Sequence, residues 1–260
     1  ERDQKIADKG VVFVKRAILA GMVAALLGTL IVASAAGAQE ALTFDTGEGT
    51  LTVHTVGHGS LYFIYRDQVI HVDPYARVAD YVALPKADQI WITHDHGDHL
   101  DLSAIDAVAT AETLIIADGR SAERLAGRNV VVLQNGERHT AGGVTVEAVP
   151  AYNLVRERAP GQKYHPKGDY NGYVGNFGSF RVYIAGDTEC FPEMRDLGAI
   201  DLAFIPINLP FTMTPEEAVG CIKVIAPKVV VPYHQGDSDP NVVAEGLKGS
   251  GIEVIVRPLP

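Results

Sequence analysis

Between Ile92 and Leu100 the chain reads ITHDHGDHL, three histidines and two aspartates in nine positions. Neutral imidazole nitrogens and carboxylate oxygens are the donors that zinc, manganese and iron accept. His94 and His96 are two apart, so extended backbone turns both to one side. Gly97 then lets Asp98 and His99 swing towards a second point. These groups exceed the three protein ligands of an ordinary catalytic zinc, so two divalent cations fit the spacing better than one. Such a pair acidifies a shared water to hydroxide near neutrality and stabilises charge developing on a substrate. The chemistry expected is hydrolysis at a carbonyl or phosphorus centre, with Asp98 helping to direct the nucleophile. A polar surface turn is the bland alternative, but crowding these titratable groups together without a cation is costly. No Ser-His-Asp arrangement has convincing spacing.

The apolar run QIWIT ends at this cluster, which places it in the loop at the carboxyl end of a strand. Further strand-like segments are LTVHTV, SLYFIY, QVIHVD, TLIIAD, NVVVLQ, GGVTVEAVP, LAFIPI, KVVVP and IEVIVRP. Short turns between the first three predict antiparallel hairpins, and Gly178-Ser179 is a hairpin turn within GYVGNFGSFRVYIAGD. LDLSAIDAVA has helical spacing, and a short helix is expected over 121–126. TPEEAVGCIKVIAP announces a helix with Thr214 as cap, Pro215 in the first turn and Glu217 completing a capping box. DPNVVAEGLKG supplies the last helix. Two rounds of strands followed by helices, with no linker between them, predict one domain over 39–260. Its four layers are α/β/β/α, two mixed sheets packed face to face with helices outside.

THDHGDHL resembles the T-H-x-H-x-D-H signature of the metallo-β-lactamase superfamily. GHGS (57–60), HVDP (71–74), YHPKG (164–168), YIAGDTE (183–189), FTMTPEEA (211–218) and PKVVVPYH (227–234) agree in order. Together they resemble the branch containing L-ascorbate-6-phosphate lactonase and many metal-dependent hydrolases of unassigned substrate. The resemblance implies that His94, His96 and His165 hold a first metal while Asp98, His99 and His234 hold a second. Asp187, in AGDT, then bridges the two ions. It is specific for fold and metals and poorly specific for substrate. Zinc is the expected metal, with manganese or iron as alternatives. Asp73, closing QVIHVD, is expected to orient a ligating imidazole, and His58 to approach the metals or the substrate. Related proteins often carry a small side chain where Gly59 stands. His54 and His71 fall within alternating strand patterns and are expected to pack or lie at the surface; His139 looks like a hairpin residue.

Arg156, Arg158, Lys163 and Lys167 surround His165 in sequence and suggest a cationic rim for a carboxylate or phosphate ester. The competing reading is a solvated loop partly offset by Glu157 and Asp169. Asn208 and Tyr233 are further substrate-binding candidates, and Tyr152 and Tyr164 either offer hydroxyls or only wall the cleft. The expected activity is hydrolysis of a small, anionic ester, lactone or phosphoester. A β-lactamase or other amide hydrolase is an alternative, weakened because Asp187 stands where drug-hydrolysing relatives often carry Cys. A non-catalytic metal-binding envelope protein is another.

The formal charge of −10 argues against a nucleic-acid partner. Residues 1–38 read as a separate unit: Lys15 and Arg16, an uncharged apolar run over 17–38, then Ala36-Gly37-Ala38. This predicts a signal peptide cleaved after Ala38, with ERDQKIADKGVVF an unusual preface to it, and a periplasmic or extracellular product. The alternative is an uncleaved anchor, the one case in which membrane contact is expected. Without the leader's five basic and three acidic residues the charge is −12. Export permits a disulfide, but two cysteines cannot staple a framework, and Cys190 and Cys221 are expected as ordinary buried residues rather than as a pair. Nothing in the sequence specifies an oligomeric state.

Overall fold

The first sheet grows from alternating patterns. In the computed structural model, which describes residues 39–259, β1 (Leu42–Asp45) pairs with β2 (Thr50–Gly57). β2 buries Leu51, Val53 and Thr55 on one face and leaves Thr52, His54 and Val56 half-buried on the other. β3 (Ser60–Tyr65) and β4 (Gln68–Val72) continue the antiparallel meander. From β4 the order turns parallel through β5 (Gln89–Trp91), β6 (Leu114–Ala117) and β7 (Val130–Val132). The expected leader lies outside the described residues. Among those residues no helix is long and apolar enough to cross a membrane.

The second sheet repeats this logic. β8 (Arg138–Ala141) and β9 (Val144–Ala151) form a hairpin carrying His139, and a two-stranded excursion follows, β10 (Glu157–Ala159) with β11 (Gln162–Lys163). β12 (Tyr170–Phe177) and β13 (Phe180–Ile184) turn at Gly178-Ser179, with Phe177 opposite Phe180. β14 (Leu202–Pro206), β15 (Val229–Tyr233) and the short β16 (Glu253–Val254) complete the parallel half. The predicted strand IEVIVRP is thus mostly irregular. Ile255 still donates to Val230 O at 2.9 Å, but the run then meets Pro258, which has no N–H to give.

Between the sheets, Phe63 and Trp91 meet Phe177 and Phe204, with the Phe63 and Phe177 centroids 5.5 Å apart and edge-on. Each such fully buried ring contributes about 1.5–3 kcal/mol from burial alone. Gly175 makes room, since a Cβ there would stand 2.9 Å from Trp91 Cη2. Helices cover both outer faces. Ala104, Ile105 and Val108 of α1 (Leu102–Val108) pack with Ile90 and Ile92. α2 (Gly119–Arg124) begins two residues earlier than expected, because Asp118 accepts from the backbone N–H groups of Arg120 and Ser121. α3 (Pro215–Ile225) and α4 (Asn241–Gly246) cover the second sheet through Ile222, Ile225, Val243 and Leu247. The capping box forms as read: Glu217 N–H donates to Thr214 Oγ1 at 3.1 Å and Thr214 N–H to Glu217 Oε2 at 2.8 Å. The result is the predicted four-layer α/β/β/α fold.

Cys190 and Cys221 form a disulfide, Cα–Cα 5.4 Å, tying the segment after β13 to α3. This corrects the expectation of two ordinary buried cysteines: the fold brings residues 31 apart in sequence to bonding distance.

Candidate metal centre

Seven segments at the carboxyl ends of strands converge on one edge of the sandwich. His58 follows β2, Asp73 follows β4, and Thr93 to His99 follow β5. Asn153 follows β9, Asp187 β13, Asn208 β14 and His234 β15. Three of these residues adopt positive φ, His58 at 53°, Asp73 at 44° and His234 at 45°. That region is uncommon for residues with a side chain, and it bends the backbone so that each side chain enters the cluster.

The donor atoms lie close together. His94 Nε2 is 3.1 Å from His96 Nδ1, and His94, His96 and His165 each place a nitrogen within 4.8 Å of the others. His99 Nε2 and His234 Nε2 are 3.0 Å apart and lie 3.4 and 3.3 Å from Asp187 Oδ1. The other Asp187 oxygen is 3.6 Å from His165 Nε2. Asp98 Oδ2 is 3.0 Å from His58 Nε2, 3.7 Å from His234 Nε2 and 3.9 Å from His99 Nε2. Asp187 therefore stands between two groups of imidazoles, with Asp98 on the open side, where its side chain is 36% exposed.

Behind the donors, hydrogen bonds set which ring nitrogen is bare. Asp73 Oδ2 accepts from His99 Nδ1 at 2.8 Å, leaving His99 Nε2 to face the cluster. The same oxygen accepts the Thr93 hydroxyl at 2.6 Å. With its proton so used, Thr93 Oγ1 accepts from His94 Nδ1 at 3.0 Å. Asp73 thus steers one imidazole directly and a second through Thr93. Asn208 Nδ2 is 3.0 Å from His234 Nδ1. Gly59 lies beneath: a Cβ there would stand 3.0 Å from His99 Cε1, so the glycine lets the β2–β3 turn approach two rings closely.

Electrostatics show what the cluster lacks. Burial holds the His94 imidazole well below its ordinary value, reinforced by His99, His165 and His96. Burial also takes His165 down to about 4, so both rings are neutral donors. Burial works the same way on His99, yet Asp187, Asp98 and Asp73 outweigh it and raise the ring to about 10. Asp98 lies well below the carboxylate range despite its burial, held there by His99, His234 and His58. The carboxylates call for positive charge at this point. Moreover, His165 Nε2 and Asp187 Oδ1 are buried without a hydrogen-bond partner. Orphaned donors of this kind are costly in a folded protein unless a ligand takes them. The residues fit divalent cations.

Several expectations about the substrate wall need correction. Tyr233 is fully buried, and its hydroxyl accepts the Gly186 N–H at 2.9 Å, so it supports the site from within and does not reach the cavity. Arg156 pairs with Glu189 and Glu217, Lys163 with Glu157, and Lys167 with Glu193. Arg158 is exposed on β10, away from the cavity wall. Asp169 pairs with Arg120 rather than with this loop. The cavity over Asp98, about 510 Å³, is lined instead by His58, Tyr75, Arg77, Gly97, Asp101, Asn208 and Phe211. Of the residues expected to meet substrate, it retains Asn208 and His58. Tyr75, Arg77 and Phe211 were missed, as were Asn153 and Glu189; Thr93, inside the histidine motif, was the one legible omission. His54 stacks on Tyr62 at 4.1 Å and His71 is fully buried, both remote in role from the cluster.

Residues 52–234 match the family profile described as beta-lactamase superfamily domain. A UPF0173 metal-dependent hydrolase of Thermus thermophilus is 31% identical over 217 residues, covering 77% of this chain and 93% of that protein. A crystallised protein of Parabacteroides distasonis, named there as a metal-dependent hydrolase, superposes with TM-score 0.80 at 45% identity, covering 85% of this chain and 99% of the other. Igni18, a metallo hydrolase of Ignicoccus hospitalis, shares the fold with TM-score 0.68 at 24% identity, covering 80% of this chain and 95% of that one. With its histidine cluster and these relatives together, the chain belongs to the metallo-β-lactamase superfamily and is a metal-dependent hydrolase of the UPF0173 kind.

Proposed function

We propose that two divalent cations, zinc in the first instance, sit in this cluster and that the protein hydrolyses a small anionic ester, lactone or phosphoester. His94, His96 and His165 would hold one ion and Asp98, His99 and His234 the other, with Asp187 lying between the two groups. The observation that carries the reading is a pair of buried atoms without a hydrogen bond, His165 Nε2 in one group of imidazoles and Asp187 Oδ1 beside His99 and His234 in the other. When bound, the cations supply an acidified water and counter-charge for the developing anion. The chain's own part is orientation: Asp73 and Thr93 fix two imidazoles, and Asp98 with His58 holds the open side where a substrate enters. Metal analysis of purified protein incubated with zinc or manganese is expected to find two ions per chain. His96→Ala is expected to remove most turnover with the fold retained. A metal-free wild type after that incubation, or full turnover by metal-replete His96→Ala, sinks the proposal.

Export belongs to the same reading. A disulfide such as Cys190–Cys221 persists in oxidising compartments, which supports export whether the leader is cleaved or kept as an anchor. N-terminal sequencing of the exported protein is expected to begin near Gln39, and recovery of residues 17–38 in the membrane would count for an anchor.

A further inference from the structure

We propose that Arg77 and Phe211 divide the cavity over Asp98 into two subsites, so that the substrate carries a carboxylate or phosphate joined to an aryl or short acyl group. This rests on the hydrolase reading above and names the substrate class of that same site.

Arg77 is the one cationic side chain among the residues that line the cavity. It is exposed and makes no ion pair with any described residue. The acidic groups beside it are otherwise engaged. Asp101 caps α1, accepting from Ser103 N–H, Ser103 Oγ and Ala104 N–H, and its second oxygen takes the Ala76 N–H at 3.0 Å. That last bond fastens the backbone next to Arg77 onto the helix terminus. Asp98 faces His58, His99 and His234. A guanidinium beside a cavity, with the acceptor atoms of its acidic neighbours already taken by other donors, is a receptor for an anion. It does the work the sequence assigned to the loop around His165, whose Arg156, Lys163 and Lys167 are spent on carboxylates.

Phe211, which also lines the cavity, is 38% exposed, and Leu209, two residues before it, is 45% exposed. Phe211 is firmly held. Phe211 N–H and Thr212 N–H both donate to Asn208 O, at 3.0 and 2.8 Å, and Asn208 N–H donates to Thr212 Oγ1. The Phe211 ring stands edge-on to Tyr164 at 5.0 Å, and its carbonyl accepts from Asn153 Nδ2 at 2.9 Å. A rigid aromatic face left open in a cavity of about 510 Å³ suits the apolar part of a small molecule. Asn208 ties the two halves to the metal centre, since its side chain reaches His234.

Equilibrium titration of metal-loaded protein with 3-phenylpropanoate and with 3-phenylpropanamide separates the charge from the ring. Wild type is expected to bind the acid about tenfold more tightly than the amide, and Arg77→Gln to erase that preference. Phe211→Ala is expected to weaken both ligands alike by several-fold. Metal content and melting curve of both variants should match wild type, because neither residue touches the cluster. Equal binding of acid and amide by wild type, or a preference that survives in Arg77→Gln because the anion sits on the metals, overturns the proposal. Unchanged binding by Phe211→Ala overturns its apolar half. If the hydrolase reading itself failed, the sign would be different: no metal taken up, or no ester, lactone or phosphoester turned over, with the acid–amide comparison still readable.

Discussion

Asn153 holds His165 through three hydrogen bonds. Its side-chain oxygen accepts both the backbone N–H and the ring Nδ1–H of His165, each at 2.8 Å, while Asn153 N–H donates to His165 O at 2.8 Å. The ring is therefore fixed in orientation and tautomer, with Nε2 bare and aimed at Asp187. Asn153 is itself held by the segment that carries Asp187. Glu189, 4% exposed, accepts the successive N–H groups of Leu154, Val155 and Arg156 at 2.9, 2.8 and 2.7 Å. Backbone donors thus converge on one carboxylate and zip the loop after β9 to the loop after β13.

Replacing Asn153 by Leu keeps the volume and removes the acceptor. The His165 ring then loses its fixed tautomer, and metal affinity should fall about 10- to 100-fold, the usual effect of losing a hydrogen bond behind a ligand. Competition with a chromogenic chelator measures this. Circular dichroism should show the fold intact, and wild-type affinity in Asn153→Leu would show that His165 holds no metal.

Asp73 is the corresponding support on the other side, and it serves two rings. Asp73→Asn presents an amide where His99 Nδ1 and Thr93 Oγ1 need an acceptor, so both imidazoles are released together. The expected loss of metal affinity is again about 10- to 100-fold. Thr93→Val, which removes only the link to His94, should produce a smaller loss in the same direction. A Thr93→Val defect larger than that of Asp73→Asn would contradict the order of the relay.

The histidine motif was legible because its donors lie in one loop at a strand end. Asp187 and His234 were legible because each closes an apolar strand. The supports were not. Asn153 and Glu189 act through backbone N–H groups, which no side-chain pattern reports. The positive φ of His58, Asp73 and His234 likewise has no signature at residues that are not glycine. Charge density misled: four cationic residues near His165 read as a rim, while three of their partners, Glu189, Glu193 and Glu217, lie on other segments. Strand parity could have corrected Tyr233 in advance. Alternate residues of a strand share a face, so Tyr233 lies on the same side of β15 as Val231, and both pack between the sheets.

His71 gives a pH dependence independent of the cluster. Burial lowers its imidazole from 6.5 to about 4, opposed by the bond from Nε2 to Pro85 O, and Nδ1 is buried without a partner. The folded state thus favours the neutral ring, and the unfolded chain takes up the proton first as pH falls. Its contribution to stability is complete above about pH 6.5 and is lost as pH drops towards 4. The size is of the order of 3 kcal/mol. His71→Gln keeps a donor for Pro85 and removes the titration. Subtracting its stability curve from that of wild type cancels the metal-site histidines, and a flat difference between pH 6.5 and 4 would refute the assignment.

The disulfide should matter to stability through the unfolded chain. Cys190 and Cys221 are 31 residues apart, and closing a loop of that length restricts the unfolded ensemble by about 3–4 kcal/mol. Cys221 also packs against Met194 at 3.1 Å, within the apolar cluster under α3. Serine at 221 would therefore add a buried-hydroxyl cost, so Cys190→Ala with Cys221→Ala is the cleaner comparison. That double variant is expected to unfold at lower denaturant by about this amount, while wild type without reductant shows no free thiol. Because Cys190 follows Glu189 directly, loosening the bond should also loosen the clamp on Asn153. A lowered metal affinity in the double variant, measured where it remains folded, would report that coupling; unchanged affinity would confine the disulfide to stability.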